Sequence, residues 1–206
     1  MIGIIDYGMG NVRSIEKVLI KLGAKFIISN KIEDLEFASH FILPGVGFFK
    51  EGIARLKNLG LTDFLRQEIL IKKKPILGIC LGMQLLFDNS EEGGFVEGLG
   101  FIKGSVRRFL FETNKLKIPH VGWNSVSGGD FFKIKILEGI EEGSNFYFVH
   151  SYYPHPNEQI LCSFTDYGTI FSSIIQKENI FATQFHPEKS QKKGLQLLKN
   201  FINLKC

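Results

Sequence analysis

The chain has 206 residues, 44% of them hydrophobic and 22% charged, with 25 basic residues against 21 acidic. This length and balance allow a substantial core without metals or disulfides and exclude dominant disorder. The net charge of +4 is mild and scattered, and its densest run is Lys72-Lys73-Lys74, so no clustered patch points to nucleic acid.

Ile2–Ile5 is a short apolar run that reads as a strand, followed by the glycine-rich turn Tyr7-Gly8-Met9-Gly10-Asn11. Val12, Ile15, Val18, Leu19 and Leu22 then recur at helical spacing, and Gly23 stops the helix. Lys25–Ser29 and Phe41–Leu43 predict further strands, the latter ended by Pro44-Gly45. A helical pattern runs from about residue 50 to 73 with a break near Gly60. Pro75–Ile79 reads as a buried strand and Leu81–Phe87 as a helix. Strands alternating with helices imply parallel pairing with helices on both faces. From Phe101 onward strand-like runs follow one another. Ile170–Ile175 and Ile180–Phe185 flank a hairpin loop, Gln176-Lys177-Glu178-Asn179. The C-terminal piece returns to helix, with Ser190 placed to cap it and Leu195, Leu198, Phe201 and Ile202 on one face. The expected fold is α/β, three layers α/β/α, with a mostly parallel central sheet and an antiparallel extension, in a single domain over residues 1–206.

The stretch Pro75–Phe87 is the longest charge-free apolar one of note, and it falls short of the ~20 residues a membrane span needs. The N-terminus lacks the basic region of a signal peptide. Cys80, Cys162 and Cys206 are odd in number and widely spaced, against a disulfide framework or a zinc site. A reducing cytoplasm is the simplest home. The 20 phenylalanines read as core filling and genomic composition rather than chemistry.

The strongest chemical signal is Gly78-Ile79-Cys80-Leu81-Gly82, read as strand, sharp turn, then helix. This is the pattern of a nucleophile elbow with sulfur in place of a serine oxygen. It puts Cys80 at a helix N-terminus, whose dipole favours a thiolate, and aims the Leu81 amide at the oxygen of an attacked carbonyl. Taken alone, the pattern also suits a buried cysteine packed between glycines. A thiol nucleophile needs a base. Among His40, His120, His150, His155 and His186, the last stands out within Gln184-Phe185-His186-Pro187-Glu188. Pro187 holds His186 extended, and a side chain two positions on reaches the same side, so Glu188 can orient the imidazole. Alone, this too suits a surface histidine beside a solvated carboxylate; with the elbow it completes the parts of acyl transfer. Pro44-Gly45-Val46-Gly47 would let backbone amides approach a substrate, while taken alone it suits a plain strand-to-helix turn. Gly8-Met9-Gly10 lacks the third glycine of a dinucleotide fingerprint, because Arg13 stands there, and is rejected as one. His120, His150 and His155 show no ligand geometry and are left structural or interfacial; Cys162 and Cys206 have no assigned role.

Together with Pro119-His120-Val121-Gly122-Trp123-Asn124 and Tyr147-Phe148-Val149-His150-Ser151-Tyr152, these blocks make the chain resemble a class I glutamine amidotransferase over essentially its whole length. Within that family it is most similar to glutaminase subunits that pair with a (β/α)8-barrel cyclase subunit. The resemblance implies Cys80, His186 and Glu188 as the catalytic triad. It implies an oxyanion hole from the amides of Val46 or Gly47 and of Leu81. Gln84 and Glu92, with the backbone of Ser151 and Tyr152, would hold the glutamine. Asn11, Trp123, Tyr147 and Lys189 would face the partner. It implies no cofactor and no metal, and a heterodimer in which ammonia passes to the cyclase to make imidazole glycerol phosphate and an aminoimidazole carboxamide ribotide for histidine synthesis. The alternative acceptor is a sugar-modifying amidotransferase of surface-sugar synthesis. A glutaminase nearly silent without its partner is a further implication, with the glycines around Val46 suggesting a peptide flip that completes the oxyanion hole.

Overall fold

The computed structural model describes residues 1–111 and 116–205, so Cys206 lies outside the described residues. Its elements in chain order are β1 (Ile2–Ile5), α1 (Val12–Lys21), β2 (Phe26–Ser29), α2 (Ile32–Leu35), β3 (His40–Leu43), α3 (Phe49–Asn58) and α4 (Leu61–Leu65). The helix α4 continues as a wider π turn, Arg66–Ile71, into β4 (Ile76–Ile79) and α5 (Leu81–Leu85). Then follow β5 (Phe87–Ser90), β6 (Val96–Glu97), β7 (Ile102–Arg108), β8 (His120–Ser125), β9 (Asn145–His150), β10 (Tyr152–Pro156), β11 (Leu161–Asp166), β12 (Ile170–Lys177), β13 (Ile180–Thr183) and α6 (Gln191–Ile202).

The central sheet runs β11-β12-β13-β4-β3-β1-β2. From β2 to β13 every pair is parallel; β12 and β11 then add antiparallel. Strand alternation splits the core into two layers. Ile5, Phe41, Leu43 and Ile76 face α3, α4 and α5, which contribute Phe49, Ile53, Leu56, Leu65 and Leu85. Ile2, Ile4, Ile42, Leu77 and Ile79 face α1 and α6, with Ile15, Leu19, Leu197, Leu198 and Phe201. This is the expected α/β sandwich with its antiparallel extension. A second sheet, β10-β7-β5-β6, and the hairpin β8-β9 close over one end of it. Many phenylalanines fill these layers, among them the fully buried Phe41, Phe49, Phe87, Phe181 and Phe201.

Several local expectations need correction. The helix after Cys80 ends at Leu85, because Phe87–Ser90 is drawn into parallel pairing with β7. Strand β12 runs on to Lys177, leaving only Glu178-Asn179 as the turn, with Glu178 at positive φ; β13 stops at Thr183. Ser190 precedes α6 but its side chain does not cap the helix; the hydroxyl donates to the His186 carbonyl and accepts from the Tyr147 amide. The buried face of α6 is Gly194, Leu197, Leu198 and Phe201, rotated from the expected one, with Leu195 and Ile202 only partly covered. The rotation follows from Gly194, where any Cβ would strike the Pro187 carbonyl. The basic run has a local purpose: Lys72 and Lys74 both pair with the buried Glu68 carboxylate, at 2.6 and 2.5 Å. No helix of the described residues is long and apolar enough to cross a membrane.

Candidate active site

Cys80 ends β4 and opens α5 with φ 54° and ψ −110°. That backbone region is strained for a residue carrying a Cβ and persists only when its surroundings over-determine it. The surroundings do so here. The Cys80 amide donates to the Thr183 carbonyl at 2.8 Å, and its carbonyl accepts from Gln84 at 3.2 Å. The flanking glycines do not carry the positive φ themselves; Cys80 does. They supply room: a Cβ on Gly78 would meet the Gly82 carbonyl at 2.8 Å, and one on Gly82 would overlap the Leu43 carbonyl oxygen. The strain is thus concentrated on the cysteine, and the helix presses against β3.

A cavity of about 380 Å³ opens at Cys80. Of the residues proposed from the sequence, Val46, Gly47, Cys80, Leu81, Gln84, Glu92, Ser151 and Tyr152 all line it. His186 and Glu188 sit behind the sulfur, their side chains almost fully buried, with Nδ1 of His186 2.7 Å from Oε1 of Glu188. They come together through a 3₁₀ turn, Pro187–Lys189, rather than through an extended strand. Burial alone would push the His186 imidazole down; the facing Cys80 sulfur and the Glu188 carboxylate outweigh it, and the pKa is pushed up to about 10. Beside an ionised sulfur, these partners favour the imidazolium. Its Nε2 has no partner in full hydrogen-bond geometry, a looseness common in catalytic pairs without substrate.

Two of the candidate backbone donors are engaged elsewhere. The Leu81 amide donates to the Gly45 carbonyl at 3.3 Å, and the Val46 amide to the Met9 carbonyl at 3.1 Å. Glu92 Oε2 accepts from the Phe49 amide at 2.7 Å at the start of α3; burial holds its carboxyl above the usual range, opposed by that bond. The Tyr152 carbonyl accepts from Gln84 Nε2 at 3.0 Å, and the Ser151 carbonyl from the Phe109 amide at 3.1 Å.

Trp123, Tyr147 and Lys189 form one cluster away from the cavity. The two rings meet edge to face at 6.0 Å, and the Lys189 ammonium stands 5.7 Å from the Tyr147 ring centre. Trp123 is 48% exposed. Asn11 precedes α1, which packs against the Pro187–Lys189 turn.

Sequence reasoning missed three residues here. Tyr7 buries its hydroxyl against the Pro44 carbonyl at 2.8 Å, anchoring the loop that carries Val46; burial and then the nearby Cys80 push its pKa up. Gln184 is fully buried and reaches the Cys80 sulfur. It stands two residues before His186, the interval that drew attention to Glu188. His150 lines the cavity and faces His120 across the β8-β9 pairing, Nε2 to Nδ1 at 3.0 Å. The spacing of these histidines in the chain gave no sign of that pairing. Among the described residues no group of three or more His, Cys, Asp or Glu could hold a metal ion.

The two buried histidines give a pH signature. Burial pushes His150 down to about 3 and His120 to about 4, so both are neutral in the folded chain. Unfolded, each returns to ~6.5 and takes up a proton below that pH. Stability is therefore lost as pH falls from about 6.5 toward 4. His186 has the opposite sign: its contribution is complete below ~6.5 and lost as pH rises toward 10. The urea midpoint of the wild type is expected to fall more steeply between pH 7 and 5 than that of His150→Gln. Equal slopes would refute a neutral His150.

The class of protein follows from comparison. Residues 3–204 match the family model "Glutamine amidotransferase class-I", and the chain belongs to that family. It is 48% identical over 204 residues to "Imidazole glycerol phosphate synthase subunit HisH 1" of Campylobacter jejuni (strain RM1221), covering 99% of this chain and 100% of the relative. It is also 48% identical to "Imidazole glycerol phosphate synthase subunit HisH" of Methanocaldococcus jannaschii, with the same coverage. Among solved structures it is similar to "Structure of PurLQS from Thermotoga maritima", with a TM-score of 0.69 at 17% identity over 98% of this chain and 97% of that one. That last likeness speaks for the fold alone.

Proposed function

We propose that this chain is the glutaminase subunit of an imidazole glycerol phosphate synthase. It hydrolyses glutamine to glutamate and passes the ammonia to a (β/α)8-barrel cyclase subunit of histidine biosynthesis, in the cytoplasm. Full-length identity near one half to relatives named as subunits of that enzyme supports the assignment and the need for a partner. The observation that carries the chemistry is Cys80 on a strained elbow, facing a His186 imidazole braced by Glu188.

In this reading the Cys80 thiolate attacks the carboxamide carbon, and the negative charge moves to the carbonyl oxygen. His186 gives its proton to the departing nitrogen as the C–N bond breaks, leaving a thioester and ammonia. The neutral imidazole then takes a proton from water, which attacks the thioester and releases glutamate with the thiolate restored. Gln84 and Glu92 with the 151–152 backbone hold the glutamine. The oxyanion needs amide donors. Rotating the Gly45–Val46 peptide would remove the Gly45 carbonyl from the Leu81 amide and turn the Val46 amide toward the same point, completing a two-donor hole. Gly45 suits this place, because a Cβ there would meet Leu81 Cβ at 2.7 Å and the Gly82 nitrogen at 2.8 Å. With both donors engaged, the free subunit should be slow. Ammonia released into neutral water would protonate and lose its nucleophilicity, which favours delivery through a docked partner on the Asn11, Trp123, Tyr147 and Lys189 face.

The test is glutamate release by the chain alone, with the cyclase subunit, and with that subunit plus its aminoimidazole ribonucleotide ligand. Strong activation only in the full mixture is expected. Activity indifferent to partner and ligand would move the acceptor elsewhere, with surface-sugar amidotransfer first in line. Glu188→Gln in the full mixture is expected to cut turnover by about 10²- to 10⁴-fold, because the imidazolium loses the charge that orients it. Unchanged turnover would remove Glu188 from the triad.

A further inference from the structure

Cys80 is only 6% exposed, so an ionised sulfur there depends on donors supplied by the protein. Beside His186, the side chains and carbonyls around it divide by protonation state. The Val149 carbonyl, 3.8 Å from Sγ, can only accept and so suits the neutral thiol. The Gln184 amide nitrogen, 3.6 Å from Sγ, can donate to it in the ionised form.

The orientation of that amide is forced. Gln84 Nε2 lies 3.0 Å from the Tyr152 carbonyl, which can only accept, so the nitrogen of Gln84 must point there. The same nitrogen donates to Gln184 Oε1 at 3.0 Å. The Gln184 oxygen is thereby committed to Gln84, and its nitrogen is left for the sulfur. Gln184 is fully buried, so no water competes for either end. The relay thus runs from the Tyr152 carbonyl through two amides to the nucleophile. Gln84 Oε1 makes no hydrogen bond within the described residues, and Gln84 lines the cavity. A ligand N–H accepted there would polarise the whole chain of hydrogen bonds.

We propose that Gln184 is a positioning residue that holds the Cys80 thiolate through its side-chain amide and ties it, by way of Gln84, to the occupied glutamine pocket. The inference rests on the glutaminase reading for its meaning in turnover, but not for its hold on the sulfur.

The experiment is the pH dependence of Cys80 alkylation by iodoacetamide, followed by peptide mass spectrometry so that the other cysteines do not contribute. The other titratable groups facing the sulfur or its cavity are His186, Tyr7, His150 and Glu92, and all stay in place. Gln184→Met removes the donor and keeps an unbranched chain of similar length. It is expected to raise the alkylation midpoint by about one pH unit, the scale of one hydrogen bond to a charged group. Gln184→Glu is isosteric, keeps an acceptor for Gln84 and, ionised, replaces the donor with a negative charge facing the sulfur, so it serves even if the Met variant folds poorly. It should shift the midpoint at least as far. In the full enzyme, either change should lower kcat about tenfold with KM within about twofold. A folded Glu variant with the wild-type midpoint would overturn the proposal. Because alkylation uses no glutamine, a wild type that fails to release glutamate would overturn the glutaminase reading and leave this result standing.

Discussion

Cys80→Ala is expected to abolish glutamate release, with a loss on the order of 10⁴-fold or more in the cyclase-activated enzyme. The reason is chemical. Without sulfur no thioester forms, and the remaining imidazolium and amides can only polarise a carboxamide for direct attack by water. Cys80→Ser should fare little better, because a hydroxyl beside an imidazolium holds its proton where a thiol gives it up. The backbone adds a second outcome. Since φ is 54° at this position, Cys80→Gly removes the clash of a Cβ in the left-handed region. That variant should be as inactive as the alanine one yet more stable by about 1 kcal/mol, read as a higher urea midpoint. Retained turnover in Cys80→Ala would end the nucleophile proposal. A Cys80→Gly variant less stable than Cys80→Ala would show that the elbow is not strained.

Gly82→Ala is expected to cost more stability than any other single methyl group added to this chain's active site. A Cβ at this position would overlap the Leu43 carbonyl oxygen and stand 2.8 Å from its carbon. Both atoms are backbone at the end of β3, so no side chain can swing aside. Relief requires α5 to lift off the sheet. That would unseat Leu81 and Leu85 from the layer they share with Phe49 and Ile53 and move Cys80 away from His186. A destabilisation of more than about 3 kcal/mol, or failure to accumulate as folded protein, is expected. Gly23→Ala is the control. Gly23 also has positive φ (67°), but nothing lies within 4 Å of an added Cβ, so only the backbone cost of about 1 kcal/mol applies. If Gly82→Ala melted with Gly23→Ala, close approach would not be the reason for the second glycine of the motif.

The two glycines of Gly-x-Cys-x-Gly show how a motif is legible before its local cause is. The chain shows a strand, a sharp turn and a helix. In three dimensions the cysteine carries the positive φ, and the glycines let a helix and a strand touch. Gln184 shows the complementary failure. It stands in the His-x-Glu block, but its residue type carries no charge and no nucleophile, and its proposed role rests on the Gln84 amide and the Cys80 sulfur on other elements.

The sequence alone determined the elements whose signal is local. Apolar runs bounded by Pro and Gly located the parallel strands, and the Cys and His-x-Glu blocks located the proposed chemistry. Boundaries failed where a partner strand decided them, as at Phe87, where pairing with β7 overrode a helical pattern. Tertiary structure alone decided which side chains share the cavity and where each amide points. It decided that His120 and His150 meet as a buried neutral pair, and that the Leu81 amide is held by Gly45. The physical reason is range. Propensity and periodicity act over a few neighbouring residues. Hydrogen-bond partners and close packing are set by residues some hundred positions apart, as Gln84 and Gln184 are, which only the fold brings within 3 Å.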